Sequence, residues 1–349
     1  MISLEIQQIL EKAKNRSPLT KEDCIYMLSQ SEYSMESGMI RSMANKLIRD
    51  KNENSAIIIG QVGVDIHPCE AKCGFCSFRE GHTDVPIMKM EKDVLKKAIL
   101  DFCKEGDLYG LYLMTMATFD KKYLLDMVSY AREIAPKETQ IWVNTGDADV
   151  TYYEELKAAG ACGAYHVCRL REGTDTNLNP KKRFNSMENI KIAGLDLFSC
   201  CEPIGLEHSP LELTDNIFLC LELGVTQFGA MKRIAVPGSP LCRHGQISDL
   251  KMAHIMGCAG LVYASVDSAR FFGVHEPCEL GYVSGANFVT AETGANPRDS
   301  VKDTSKGRGW DMSRCRKLLF ECGFERLLRG DDSKIALTYD YLKKTDSIC

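Results

Sequence analysis

Residues 55–78 read SAIIIGQVGVDIHPCEAKCGFCSF, and two signals meet in them. The first twelve are an apolar, β-rich run, which predicts a buried strand. The rest break that run and set cysteines at 69, 73 and 76, with His67 two places before the first. A chemistry-bearing loop directly after a strand belongs at the C-terminal edge of a parallel sheet, where barrel enzymes keep their sites.

Outward from there, one unit repeats: an apolar run, a loop, a 3.6-period amphipathic helix and a closing glycine. The strand candidates are SAIIIGQVGVDI, LYGLYLMTM, TQIWVNTG, GAYHVCRL, LDLFSCCEPIG, TQFGAMKRI, GLVYASV and ANFVTAE. Helices such as KDVLKKAILDFCKEG and KKYLLDMVSYAREIA lie between them. Eight strand–helix units predict an α/β fold, a (β/α)8 barrel of the TIM type. A doubly wound open sheet is the rival, but no G-x-G-x-x-G follows the first strand. Residues 1–54 read as an N-terminal helical extension, with Thr20 as a cap, expected to cover one barrel end. Residues 55–300 form the barrel, and 301–349 a C-terminal helical segment packed on it.

Of the 349 residues, 44% are hydrophobic and 26% charged, as in a water-soluble globular enzyme. No apolar run is long enough for a membrane span, and the N-terminus lacks a signal-peptide pattern, so the expected location is cytoplasmic. A net charge of −5 argues against a nucleic-acid partner. The 16 cysteines are the anomaly, because a reducing cytoplasm does not keep them as disulfides. Cys103, Cys220 and Cys258 fall on helix-like stretches and read as small buried hydrophobes. The excess points to metal–thiolate chemistry in an anaerobe.

Two metals compete for the cysteine run. Zinc would take Cys69, Cys73, Cys76 and His67 as a closed site, although the one-residue gap between His67 and Cys69 is an awkward bite. A four-iron cluster would take the three thiolates and keep one iron open. C-x3-C-x2-C, with Phe75 just before the last cysteine, resembles the signature of the radical S-adenosylmethionine enzymes. The resemblance implies a [4Fe-4S] cluster whose open iron binds S-adenosylmethionine and whose electron cleaves it to a 5′-deoxyadenosyl radical. It also implies an electron donor such as flavodoxin or ferredoxin.

Within that family the segments PKKRFNSMENIKIAGLDLFSCCEPIGLEHSP, AVPGSPL and SGANFVTAETGANPRD resemble the biotin synthases in order and spacing. This implies sulfur insertion into dethiobiotin to make biotin, with a homodimer as the assembly to consider. CRLREGTD is similar to the stretch that places a glutamate on S-adenosylmethionine, here Glu172. Arg183 matches an arginine for the cofactor's carboxylate, which a forked guanidinium suits. Asn144, at the end of the third strand, is a further candidate for cofactor or substrate.

One departure matters. The better-known biotin synthases hold a two-iron cluster with cysteines on strands two, three and five and an arginine on strand seven. Strands two and three here have no cysteine, and the seventh candidate offers Tyr263. Instead Cys168, Cys200, Cys201, Cys242 and Cys278 follow later strands, and are candidates for an auxiliary iron–sulfur cluster that donates sulfur. Of the adjacent pair only one can face the lumen. Cys201 is the one expected there, because it precedes Glu202–Pro203, where the chain leaves the sheet. Two other readings stay open: a radical enzyme like methylornithine synthase or the hydrogenase maturase, without sulfur insertion, and a non-catalytic iron–sulfur or zinc scaffold.

Overall fold

A computed structural model describes residues 2–81, 87–292 and 309–347. Eight parallel strands run in sequence order. They are β1 (Ser55–Gly63), β2 (Gly110–Met114), β3 (Gln140–Asn144), β4 (Gly163–Tyr165), β5 (Asp196–Ile204), β6 (Gln227–Lys232), β7 (Phe271–His275) and β8 (Phe288–Ala291). Each pairs with the next, and β8 returns to β1 with Ile57 opposite Phe288 and Gly60 opposite Ala291. The sheet is closed, the (β/α)8 architecture that the repeat predicts.

Three helices precede the barrel: α1 (Leu4–Lys14), α2 (Lys21–Leu28) and α3 (Met35–Lys51). Thr20 caps α2 in a reciprocal capping box with Asp23. The ring helices follow β1 to β8 in turn. They are α4 (Lys92–Phe102), α5 (Lys121–Ile134), α6 (Val150–Ala158), α7 (Pro180–Ile192), α8 (Pro210–Glu222), α9 (Asp249–Ser265), the single turn α10 (Glu279–Tyr282) and α11 (Met312–Glu321). Because α11 packs on β1 and β8, the C-terminal segment supplies the ring's eighth helix. The expected domain boundary at 300/301, and the TGANPRD end of the third biotin-synthase-like segment beyond Glu292, lie outside the described residues.

Two expectations are corrected. The N-terminal helices do not cover a barrel end; they lie on the outer faces of α8 and α9. Gly257 and Gly260 let α3 come close, since a Cβ at Gly257 would stand 3.1 Å from the Arg41 Cα. The stretch GLVYASV is not strand seven but the last turns of α9, and strand seven is the later FFGVH. Enclosed between barrel and extension, α9 has thirteen of its 17 residues buried. A helix that is apolar all round loses its periodic signature and imitates a buried strand. Tyr263 is therefore outside the barrel, wedged against Phe228 and Phe272 with its hydroxyl donating to the Ile217 carbonyl (3.1 Å).

Inside the barrel the lower half is filled. Tyr112 stacks on Trp142 with ring centroids 5.2 Å apart, and its hydroxyl donates to Gln227 Oε1 (2.7 Å). Ile57, Phe271 and Leu328 complete the plug. Open space is left to the upper half, towards the C-terminal ends of the strands.

Candidate functional site

A cavity of about 280 Å³ opens at that mouth. One wall is the loop between β1 and α4, which carries Cys69, Cys73, Phe75 and Cys76. The Cys69 N–H donates to the Phe78 carbonyl (2.8 Å) and the Cys69 carbonyl accepts from Glu80 (3.0 Å). The Gly74 N–H reaches the Asp175 carbonyl (2.8 Å), and its own carbonyl accepts from Leu241 (3.0 Å). The Leu241 side chain presses against Gly74, so a Cβ there would stand 3.2 Å from the Leu241 Cγ.

All three thiols are reduced, with Cys69 and Cys73 buried and Cys76 half-buried. Burial pushes the Cys73 thiol up to about 12; Arg169 works against this, while Cys76 and Cys69 add to it. The thiols share the wall without meeting at one point: among the described residues, no three His, Cys, Asp or Glu side chains form a metal-ligand set. His67 is turned away, its ring nitrogens 2.9 Å and 2.8 Å from the Pro68 and Thr118 carbonyls. That removes the fourth ligand of the closed zinc alternative.

Arg183 stands on the opposite wall. Asn179 caps α7 and Pro180 opens its first turn, which carries Arg183 inward. Its Nε donates to the Val167 carbonyl (2.9 Å) and its Nη1 to Asp147 Oδ1 (3.0 Å). Burial opposes ionisation of Asp147, but the His166 hydrogen bond and the Arg183 charge hold its carboxyl below the usual range. Burial and Arg183 push His166 down to about 4, so it is neutral.

Asn144 lines the same cavity from the end of β3. Glu172 is buried, accepting from the Thr176 hydroxyl (2.6 Å) and the Arg169 N–H (3.0 Å), with Arg183 Nε 3.8 Å from its Oε2. It is not among the cavity's lining side chains.

The five later cysteines do not gather. Cys200 faces the cavity, which corrects the expectation for Cys201: pleat alternation points Phe198, Cys200 and Glu202 inward and buries Cys201 in the outer core. Cys168 lies three residues past β4, half-buried, its Sγ 3.9 Å from the Pro180 carbonyl. Cys242 sits in a short turn (Cys242–His244), half-buried, and Cys278 is buried in the outer core before α10. Cys200 alone of the five lines the cavity.

Among the wall residues that escaped sequence reasoning, because isolated charged or phenolic residues read as surface, are Tyr165, Arg169, Glu202 and His275. The Tyr165 hydroxyl donates to Glu202 Oε2 (2.7 Å), and Arg169 Nε lies 3.0 Å from Glu202 Oε1 as an ion pair without hydrogen-bond alignment. His275 ends β7 with Nε2 3.0 Å from Glu292 Oε1 and Nδ1 3.3 Å from Glu276 Oε1. Burial opposes its protonation, but the Glu276 and Glu292 carboxylates outweigh it and carry its pKa up from 6.5 to about 9. A folded pKa above the unfolded value means a stabilising contribution present below pH 6.5 and lost as the pH rises through about 9. His275→Gln should remove that pH dependence from urea-unfolding midpoints; an unchanged profile would show that His275 does not titrate there.

Fold and cavity together define a (β/α)8 barrel whose mouth is walled by a three-cysteine loop and a buried arginine. Solved structures similar to the chain include two of closely comparable likeness. A methylornithine synthase (PylB) matches with a TM-score of 0.76 at 15% identity, over 90% of this chain and 96% of that one. The FeFe-hydrogenase maturase HydG from Carboxydothermus hydrogenoformans matches with a TM-score of 0.75 at 15% identity, over 92% of this chain and 79% of that one. At such identity the likeness is one of fold. No family model and no curated protein matches the sequence. No described helix is long and apolar enough to cross a membrane.

Proposed function

We propose that the chain is a radical S-adenosylmethionine enzyme acting on a small molecule in the barrel mouth, of the kind represented by methylornithine synthase and HydG, and that it inserts no sulfur. The observation that carries this is the placement of three reduced thiols, with C-x3-C-x2-C spacing, on the wall of a cavity that continues into the lumen. The donor set fits a four-iron cluster with one open iron: three thiols in one loop, and His67 engaged elsewhere. When bound, that cluster supplies the electron that cleaves the sulfonium of S-adenosylmethionine.

The chain's own residues do the rest. Cys69, Cys73 and Cys76 would hold the cluster as thiolates, and the Arg169 charge beside Cys73 opposes the rise that burial imposes on that thiol. Arg183, fixed by Val167 and Asp147, offers its guanidinium to a carboxylate. Asn144 and Phe75 line the space for cofactor and substrate, and the aromatic plug below excludes water. A sulfur-inserting biotin synthase would need several of Cys168, Cys200, Cys201, Cys242 and Cys278 around one auxiliary cluster, and their dispersal speaks against it. A reduced ferredoxin or flavodoxin is the partner this chemistry calls for.

Anaerobic reconstitution should load about four irons per chain rather than about eight. Dithionite should then yield 5′-deoxyadenosine from S-adenosylmethionine, and absence of cleavage would sink the reading. Arg183→Ala should keep its iron but bind S-adenosylmethionine about ten- to a hundredfold more weakly, the loss of one charge-assisted contact. Equilibrium dialysis with the labelled cofactor measures it, and unaltered affinity would place the carboxylate elsewhere.

A further inference from the structure

We propose that Asp147 makes the cavity selective for a carboxylate-bearing ligand, as a positioning residue that holds the Arg183 guanidinium off Glu172 and turns it to the cavity. The assignment rests on the role proposed above for Arg183, and adds to it the residue that decides where the guanidinium points.

Two carboxylates compete for that guanidinium. Asp147 Oδ1 accepts from Nη1 at 3.0 Å. Glu172 Oε2 stands 3.8 Å from Nε, which donates instead to the Val167 carbonyl (2.9 Å). With those two bonds made, Nη2 has no hydrogen-bond partner among the described residues and is not sealed in by protein, so it is the donor left to the cavity. Glu172 is the only other carboxylate within 4 Å of Arg183 among the described residues. A guanidinium that is 5% exposed is costly to leave unpaired, so without Asp147 it should turn to Glu172 and away from the ligand.

The fold fixes Asp147 against that pull. Its Oδ1 also accepts from the Ser186 hydroxyl (3.3 Å) and lies 3.1 Å from His166 Nε2. Next along the chain, the Ala148 N–H donates to Ser186 Oγ (3.2 Å) and the Ala148 carbonyl accepts from Asn189 (3.0 Å). Arg183, Ser186 and Asn189 recur every three residues on α7, so one helix face carries the guanidinium and ties down its partner. On the other side, a Cβ at Gly146 would stand 1.9 Å from the Ala117 carbonyl oxygen, so the glycine lets the loop press against its neighbour. Asp147 is half-buried and is not among the cavity's lining residues, so it acts through Arg183 and not on the ligand.

The sign of the effect separates orientation from charge. Deleting a negative charge near the site would by itself favour an anionic ligand. A loss of affinity therefore reports the turned guanidinium.

The test is equilibrium dialysis of the reconstituted full chain against S-adenosylmethionine and its decarboxylated analogue, which lacks the carboxylate. Wild type should prefer the intact cofactor, and Arg183→Ala should lose much of that preference. Asp147→Ala should lower it at least about threefold, and by no more than Arg183→Ala does. Asp147→Ser, polar but shorter, reads the same loss should the alanine variant not fold. Asp147→Asn, whose amide oxygen can still accept from Nη1, should keep most of the preference. Combining Asp147→Ala with Arg183→Ala should bind no worse than Arg183→Ala alone. Equal weakening of both ligands, tighter binding of S-adenosylmethionine by Asp147→Ala, or losses that add in the double variant would each overturn the assignment. A preference untouched by Arg183→Ala would instead overturn the role of Arg183, and this one with it.

Discussion

Alanine at Cys69, Cys73 or Cys76, one at a time, should eliminate 5′-deoxyadenosine formation and strip most of the iron from reconstituted protein while leaving the barrel folded. The thiols sit on a loop outside the barrel core, packed in a small cluster with Ile66, Ala71 and Phe78. A cysteine there behaves as a small hydrophobe, so its truncation costs little stability. Removing one thiol would leave two ligands for a cluster that would rely on three, and no fourth cysteine occurs in the loop. His67→Ala should be mild, since that ring serves the Pro68 and Thr118 carbonyls. Normal 5′-deoxyadenosine yield from any of the three cysteine variants would sink the metal assignment. Loss of activity with iron retained would move these residues from ligation to some other role.

Asp107→Ala should cost roughly 3–5 kcal/mol of folding stability, the penalty for leaving a buried charge unpaired. Asp107 is fully buried just before β2 and accepts both Arg316 Nε (2.6 Å) and Arg316 Nη2 (2.9 Å) from α11. The Tyr341 hydroxyl donates to the same carboxylate (2.9 Å). Without Asp107, the 4% exposed Arg316 keeps its charge and loses the carboxylate that accepts both of its hydrogen bonds. Removing both charges with Asp107→Leu and Arg316→Met should recover much of the loss, because a hydrophobic pair needs no desolvation compensation. Urea unfolding of the single and double variants measures both. A loss below about 1 kcal/mol for Asp107→Ala would show that the site admits water.

The barrel was legible because its rule is local and repeated: apolar run, loop, amphipathic helix, glycine. It failed at α9, whose two-sided burial erased the helical period, and at FFGVH, a strand of five residues overshadowed by the apolar stretch before it. The cysteine loop was legible for a similar reason, since three ligands within eight residues need no knowledge of the fold. The other wall was not. Whether Cys200 or Cys201 points inward depends on register against β6, where Cys200 meets Gly229 and Cys201 meets Ala230. Tyr165, Arg169, Glu202 and His275 come from β4, the loop after it, β5 and β7, and only barrel closure brings them together.

The enclosure of α9 also bears on how the chain reaches its native state. The first fifty residues leave the ribosome with apolar faces whose partner, residues 249–265, is about two hundred residues behind. The Leu19 N–H waits for the Ser265 hydroxyl (3.1 Å), and Lys51 for the Ser268 carbonyl (2.6 Å). Contacts of such long sequence separation form late and slow folding. These helices are thus synthesised well before their partner and dock late, with their apolar faces uncovered until then. A shortened chain beginning at β1 would reverse the hazard, baring α9 to solvent and favouring aggregation.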